Sequence, residues 1–230
     1  EIPLRLVGSE MCIRDRSIGY VNDAHGQTNN MMRILSGIKG DLKLSAGDND
    51  IGDEKNDAIH QATTKFLNIA DIKASALGNH EIDMSQKDCI DAINRFNGLM
   101  LSINFEQIPL EEQDPEDIQK YGRADLKNHL TKSAVVEVKG EKIGLIGASP
   151  IDMMSRLTHP NYYTDCSVDD LDDTIELIQN EIDKFKEQNI NKVILVSHLG
   201  HKADKFVAEN IDGIDVIVGG HTHELIKDIK

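Results

Sequence analysis

Five short stretches of this sequence combine glycine with groups that bind metal ions or carry protons. They are N-D-A-H-G (22–26), G-D-N-D-I-G (47–52), G-N-H-E-I-D (78–83), S-H-L-G (197–200) and G-G-H-T-H (219–223). Five of the nine histidines fall within them, so the pattern is concentrated. Imidazole nitrogen, carboxylate oxygen and amide oxygen together suit Mn, Fe, Zn, Co or Ni better than Ca or Mg. The candidate ligands are Asp23, His25, Asp48, Asn79, His198, His221 and His223. Seven exceed what one tetrahedral ion takes. They match two divalent ions about 3.5–4 Å apart that share a bridging carboxylate. On that reading His221 and His223 face different ions. Two divalent ions against the carboxylates of Asp23 and Asp48 leave about +2, which attracts a phosphoryl group.

Taken singly, each of these residues has a plainer explanation. A lone histidine is more often a satisfied core or surface residue, an aspartate after a strand is often a helix N-cap, and Asn79 fits a turn. The weight lies in five such groups at equivalent places. His60, His129, His159 and His201 lack that context and read as structural or solvent-facing.

The equivalent place is the end of a strand. Apolar runs at 17–21, 42–46, 72–77, 192–196 and 215–218 each lead into one of the five groups, and 99–103 reads as a further strand. Between them, 31–38, 57–69 and 85–96 show helical spacing, and 168–186 is a longer amphipathic helix. Residues 133–138 and 142–147 read as a β-hairpin. Residues 106–131, with Pro109 and Pro115, read as an irregular, lid-like excursion. The βαβα order implies an α/β class with a largely parallel sheet. In such sheets ligands bind beyond the carboxyl ends of the strands. Flanking glycines allow the sharp turns and close approach this requires.

Composition narrows the partners. The 230 residues, 39% hydrophobic and 28% charged, suffice for one domain with a buried core. A net charge of −15 opposes long-range attraction to DNA, RNA or anionic membranes. No apolar run approaches the ~20 residues of a transmembrane helix. Cys12, Cys89 and Cys166 have no C-x-x-C spacing and read as ordinary thiols. Residues 6–15, L-V-G-S-E-M-C-I-R-D, coincide with the translation of a common transposase sequencing adaptor. Residues 1–16 are therefore read as an adaptor artefact or disordered leader, and 17–230 as the folded domain.

The ordered set D-x-H, G-D-x-x-x-G, G-N-H-E, H and G-H-x-H resembles the calcineurin-like metallophosphoesterase superfamily. N-D-x-H-G-Q, G-N-H-E-x-D and S-H-L-G look most like its branch of 5′-nucleotidases and 2′,3′-cyclic nucleotide phosphodiesterases. The resemblance implies a four-layer α/β/β/α sandwich with a dinuclear site. One ion would take Asp23, His25, Asp48 and His223; the other would take Asp48, Asn79, His198 and His221. It implies that His80 contacts the phosphoryl group while Asp83 orients its ring. From its place in the G-D-N-D-I-G loop, Asp50 is expected to hydrogen-bond a metal ligand.

The resemblance also implies a small phosphorylated substrate, a nucleotide first, and an exported, periplasmic or cell-surface location. Its alternatives are 2′,3′-cyclic nucleotide phosphodiesterase or 3′-nucleotidase activity, and a metal-binding but inactive fragment. Relatives carry a C-terminal domain that binds base and ribose through aromatics and arginines. This chain runs seven residues past His223, and it has no Trp, four Tyr and five Phe. That domain and the last strands of the sandwich are expected to be absent.

Overall fold

The computed structural model describes residues 16–50 and 57–224. Residues 1–15 of the expected leader and the end of the 47–52 loop lie outside the described residues. Arg16, the last leader residue, donates from Nε to the Val138 carbonyl at 3.1 Å and lies 3.1 Å from Glu141.

Four short strands, β1 (Ile18–Val21), β2 (Leu42–Ser45), β3 (Ala74–Ala76) and β4 (Leu99–Leu101), lie side by side in chain order, all parallel. Parallel neighbours need crossovers. Helices α1 (Thr28–Gly37), α2 (Asp57–Ile69) and α3 (Gln86–Arg95) supply them. Further on, β5 (Phe105–Gln107) and β8 (Cys166–Val168) make a small antiparallel ribbon, and α4 (Pro115–Tyr121) and α5 (Met153–Arg156) are short. The second sheet has the order β10 (Val216–Gly219), β9 (Val193–Ser197), β7 (Glu141–Ala148), β6 (Ser133–Val138). Its β6–β7 pair is the expected hairpin, and the rest is parallel. Helices α6 (Leu171–Glu187) and α7 (His201–Asn210) complete the chain order.

The layers follow from which faces are apolar. Leu42, Leu44, Ala74 and Ala76 from the first sheet meet Leu145, Ile194, Val196 and Val218 from the second in one buried core. The outer face of the second sheet, with Ile146 and Leu195, packs on Ile178, Ile182 and Phe185 of α6 and Val207 of α7. On the far side, Met31, Phe66 and Leu67 of α1 and α2 cover Val21. This is the four-layer α/β/β/α sandwich. Each buried large aliphatic contributes roughly 1.5–3 kcal/mol of transfer free energy. The two sheets touch where Ile103 N–H donates to the Gly147 carbonyl at 2.8 Å, and a side chain at Gly147 would overlap Leu101.

One expectation needs correction, and one element was not foreseen. Residues 106–131 are not irregular throughout: they include the end of β5 and all of α4, capped by the Asp114 side chain at Glu116 N–H and closed by Gly122 at φ 60°. A buried polar cluster anchors this excursion: Gln107 Nε2 donates to Asp165, Gln86 and the Ala124 carbonyl, and Gln113 Nε2 donates to Asp165. Helix α7 is also unannounced by the residue pattern, because its buried face is narrow: Val207 is buried while Phe206 is exposed. Cys89 is buried, Cys166 is half-buried, and both are free thiols.

Candidate metal centre

The carboxyl ends of β1, β2 and β3 in one sheet and of β9 and β10 in the other open onto the same place. Backbone pairing carries on past the strand ends. Asp23 N–H donates to Gly47, His25 N–H to Asp48 and Gly26 N–H to Asn49, at 2.8–3.0 Å. Across the sheets, Asp23 accepts the His221 N–H at 3.0 and 3.1 Å through its two oxygens.

Backbone strain is concentrated here. Among the described residues eight non-glycines have positive φ, and five of them are Asp23 (50°), His25 (44°), Asp48 (51°), His221 (80°) and His223 (52°). A left-handed conformation costs roughly 1–2 kcal/mol for a residue with Cβ, less for aspartate. It persists only where the surroundings hold it, and such residues cluster at functional sites. Gly78 permits the approach of Asp48, since any side chain there would collide with the Asp48 carboxylate.

Three overlapping groups result, in each of which one ligand atom per residue lies within 4.8 Å of the others: Asp23–His25–His223, His25–Asp48–His80 and Asp48–His198–His221. His25 Nε2 and His223 Nε2 are 2.9 Å apart, and His223 Nε2 is 3.3 Å from Asp23. His198 Nε2 is 2.9 Å from Asp48 Oδ2. That last contact has hydrogen-bond length without hydrogen-bond geometry, and His198 Nε2 is buried without a hydrogen-bond partner, as is Asn79 Oδ1. A buried polar atom left unsatisfied costs roughly 1–3 kcal/mol. Imidazole nitrogen and amide oxygen both ligate divalent cations, and His198 Nε2 faces a carboxylate, so the residues fit a bound divalent cation.

The other ring nitrogens are fixed. His198 Nδ1 is 2.5 Å from the Ala46 carbonyl, so Nε2 is the nitrogen that faces Asp48; burial would lower the ring's pKa, but that contact outweighs it and holds it up to about 9. His80 Nδ1 is 2.5 Å from Asp83 Oδ2, so Nε2 faces outward. The hydrogen bond to Asp83 raises the His80 pKa, against its partial burial. Burial lowers the His25 and His221 pKa values, which favours their neutral forms. Burial alone would raise the Asp48 carboxyl, but contact with His198 and the His80 N–H at 2.9 Å outweigh it and lower it. Asp50 lies 2.6 Å from His60, and both side chains are buried.

The sequence reading missed Glu81. Its buried carboxylate accepts Asp48 N–H at 3.0 Å, Asn49 N–H at 2.7 Å, Gly78 N–H at 2.9 Å and Asn49 Nδ2 at 3.2 Å. It thereby ties the tips of β2 and β3 together. Burial and the Asp48 charge push Glu81 up to about 7. Every partner is a donor, however, which favours the ionised form, and we read it as a carboxylate. Its place in G-N-H-E was the available signal. His129 ends a short turn; His201 opens α7; the His159 ring lies 5.7 Å from that of Tyr162.

Residues 16–225 match the family model described as calcineurin-like phosphoesterase. The chain belongs to that family. A probable 5′-nucleotidase of Treponema pallidum (strain Nichols) is 29% identical over 227 residues, 98% of this chain and 35% of that protein. A 5′-nucleotidase of Diplobatis ommata is 32% identical over 162 residues, 70% of this chain and 25% of that protein. Among solved structures, a 5′-nucleotidase precursor from Thermus thermophilus superposes with a TM-score of 0.71 at 25% identity, covering 92% of this chain and 42% of that one. The chain thus spans about a quarter to two fifths of the length of these relatives. The family is one of hydrolases acting on phosphoric esters. Among the described residues no helix is long and apolar enough to cross a membrane.

Proposed function

We propose that this chain forms the catalytic centre of a 5′-nucleotidase-type phosphoesterase that hydrolyses nucleotide monophosphates with two divalent cations. Asp23, His25, Asp48 and His223 would hold one cation, and Asp48, Asn79, His198 and His221 the other. The observation that carries the reading is the convergence of Asp23, His25 and His223, and of Asp48, His198 and His221, into overlapping groups, with His198 Nε2 and Asn79 Oδ1 buried without hydrogen-bond partners.

A bound divalent cation supplies Lewis acidity and lowers the pKa of water toward neutrality. The chain does the rest. Asp48, reached from both sides, sets the separation of the two ligand groups. His80, its ring fixed by Asp83, presents Nε2 to the phosphoryl oxygens and donates a hydrogen bond to the charge that develops there. The hydrogen bond to Asp83 raises the His80 pKa, which favours the protonated ring for that role. No side chain is required as a covalent nucleophile.

Nucleotides are favoured as substrates because the relatives above are described as 5′-nucleotidases. The −15 net charge opposes the approach of an anionic ester, which local cations would offset. A location outside the cytoplasm fits the relative described as a precursor. The test is Mn²⁺-dependent release of phosphate from AMP, with 2′,3′-cyclic AMP and p-nitrophenyl phosphate alongside. AMP hydrolysis that requires metal and His80 supports the reading. Turnover of the cyclic ester alone points to a phosphodiesterase, and turnover of none with metal bound contradicts catalysis by this chain.

A further inference from the structure

Each inward-facing histidine needs one ring nitrogen committed so that the other is free. His198 uses the Ala46 carbonyl, and His80 uses Asp83. For His221 the oxygen at hand is Asp152, a residue outside every motif of the sequence. Its Oδ1 lies 3.3 Å from His221 Nε2, within ion-pair distance though not aligned as a hydrogen bond.

Asp152 sits in the turn between β7 and α5, with its side chain two fifths exposed. Its place is nonetheless well defined. The next residue, Met153, is fully buried in the core beneath. Three residues before, Ser149 donates from Oγ to the Leu77 carbonyl at 2.9 Å and from N–H to Asn104 at 2.9 Å. Six residues after, Thr158 N–H donates to Asp83 at 3.0 Å. The carboxylate itself is shared. Arg156, one helical turn on, holds Oδ2 with its Nε at 2.5 Å and leaves Oδ1 toward the imidazole. His221 has little freedom to turn away, because Asp23 grips its backbone N–H and its φ is +80°.

We propose that Asp152, oriented by Arg156, is the positioning residue for His221: it accepts the Nε2 proton and leaves the Nδ1 lone pair for the cation shared with Asp48 and His198. This rests on the metal centre proposed above. A carboxylate behind a metal-bound imidazole fixes its tautomer and raises its basicity, and losing one typically costs 10–100-fold in affinity. Asp152 also joins the two halves of the centre. The segment from 152 to 158 touches His221 of the second sheet at one end and Asp83, partner of His80, at the other.

The test uses Zn²⁺ as probe, with its affinity measured by calorimetry and the ring tautomers read from ¹⁵N-histidine spectra. In the wild-type chain His221 should carry its proton on Nε2 before loading and bind Zn²⁺ through Nδ1. Asp152→Asn should weaken binding by about 10–100-fold and mix the His221 tautomers, leaving those of His198 unchanged. Arg156→Gln should shift both in the same direction by less, and serves as the test if Asp152→Asn does not fold. Unchanged affinity in both variants, or Zn²⁺ on Nε2 of His221, overturns the inference. A wild-type chain that binds no Zn²⁺ would instead sink the metal centre itself.

Discussion

Asp83 Oδ2 lies 2.5 Å from His80 Nδ1, and the carboxylate is 1% exposed. That contact decides which face of His80 the centre sees. If His80 supports charge rather than holding metal, as proposed, His80→Ala should lower kcat by on the order of 10²–10⁴-fold and leave metal affinity unchanged. Asp83→Asn keeps the ring in place but loses the carboxylate, so its deficit should be smaller. Steady-state kinetics and calorimetry on the same preparations check this; a loss of metal binding in His80→Ala contradicts it.

Glu81 holds two strand tips through donors alone. In Glu81→Gln the new amide N–H₂ must face a backbone N–H. Destabilisation should reach roughly 2–4 kcal/mol, as expected for a buried charged hydrogen-bond acceptor removed from its donors. Zn²⁺ affinity should fall as well, because Asp48 and Asn79 lose their common support. A remote core variant matched in stability, such as one at Ile182 in α6, should retain that affinity. Equal affinity in both variants would show Glu81 to be structural only.

Asp204, partner of the Ser197 hydroxyl next to His198, gives a pH dependence of stability. Burial pushes its carboxyl up to about 6, above the ordinary aspartate range, although Ser197 donates to it. A raised carboxyl favours the folded state only while protonated. Its contribution is therefore fully present below the unfolded value and is lost as pH rises through about 6. The loss is at most on the order of 2–3 kcal/mol. Asp204→Asn should remove it, so the variant should gain on the wild type between about pH 4 and pH 7 in chemical denaturation. A difference independent of pH contradicts the assignment.

Gly147 lets the two sheets meet. Gly147→Ala must displace Leu101 or part the backbones, and should cost about 3 kcal/mol or more. Near-neutral stability of that variant would show that the inter-sheet contact is not close.

Much of this was readable from the sequence because its signals are local. The 57–69 helix appears with the same bounds, since Phe66 and Leu67 face the core while the opposite side is polar. The strand tips were legible because each joins an apolar run to glycine and a polar group; the structure brings those tips together, while the ligand roles remain the proposal. What escaped has physical reasons. The chief partners of Glu81 are backbone N–H groups, which no side-chain pattern announces. Asp152 meets His221 only through the fold, 69 positions away in the chain. Helix α7 buries too little for its period to stand out, and the 106–131 excursion is held by a glutamine and aspartate cluster rather than by apolar spacing.

The most direct test is anomalous diffraction from crystals of the Zn²⁺-loaded chain. Two peaks about 3.5–4 Å apart, bridged by Asp48, with His223 on one and His221 on the other, are expected. A single peak, or none near Asp48, would contradict the two-cation centre.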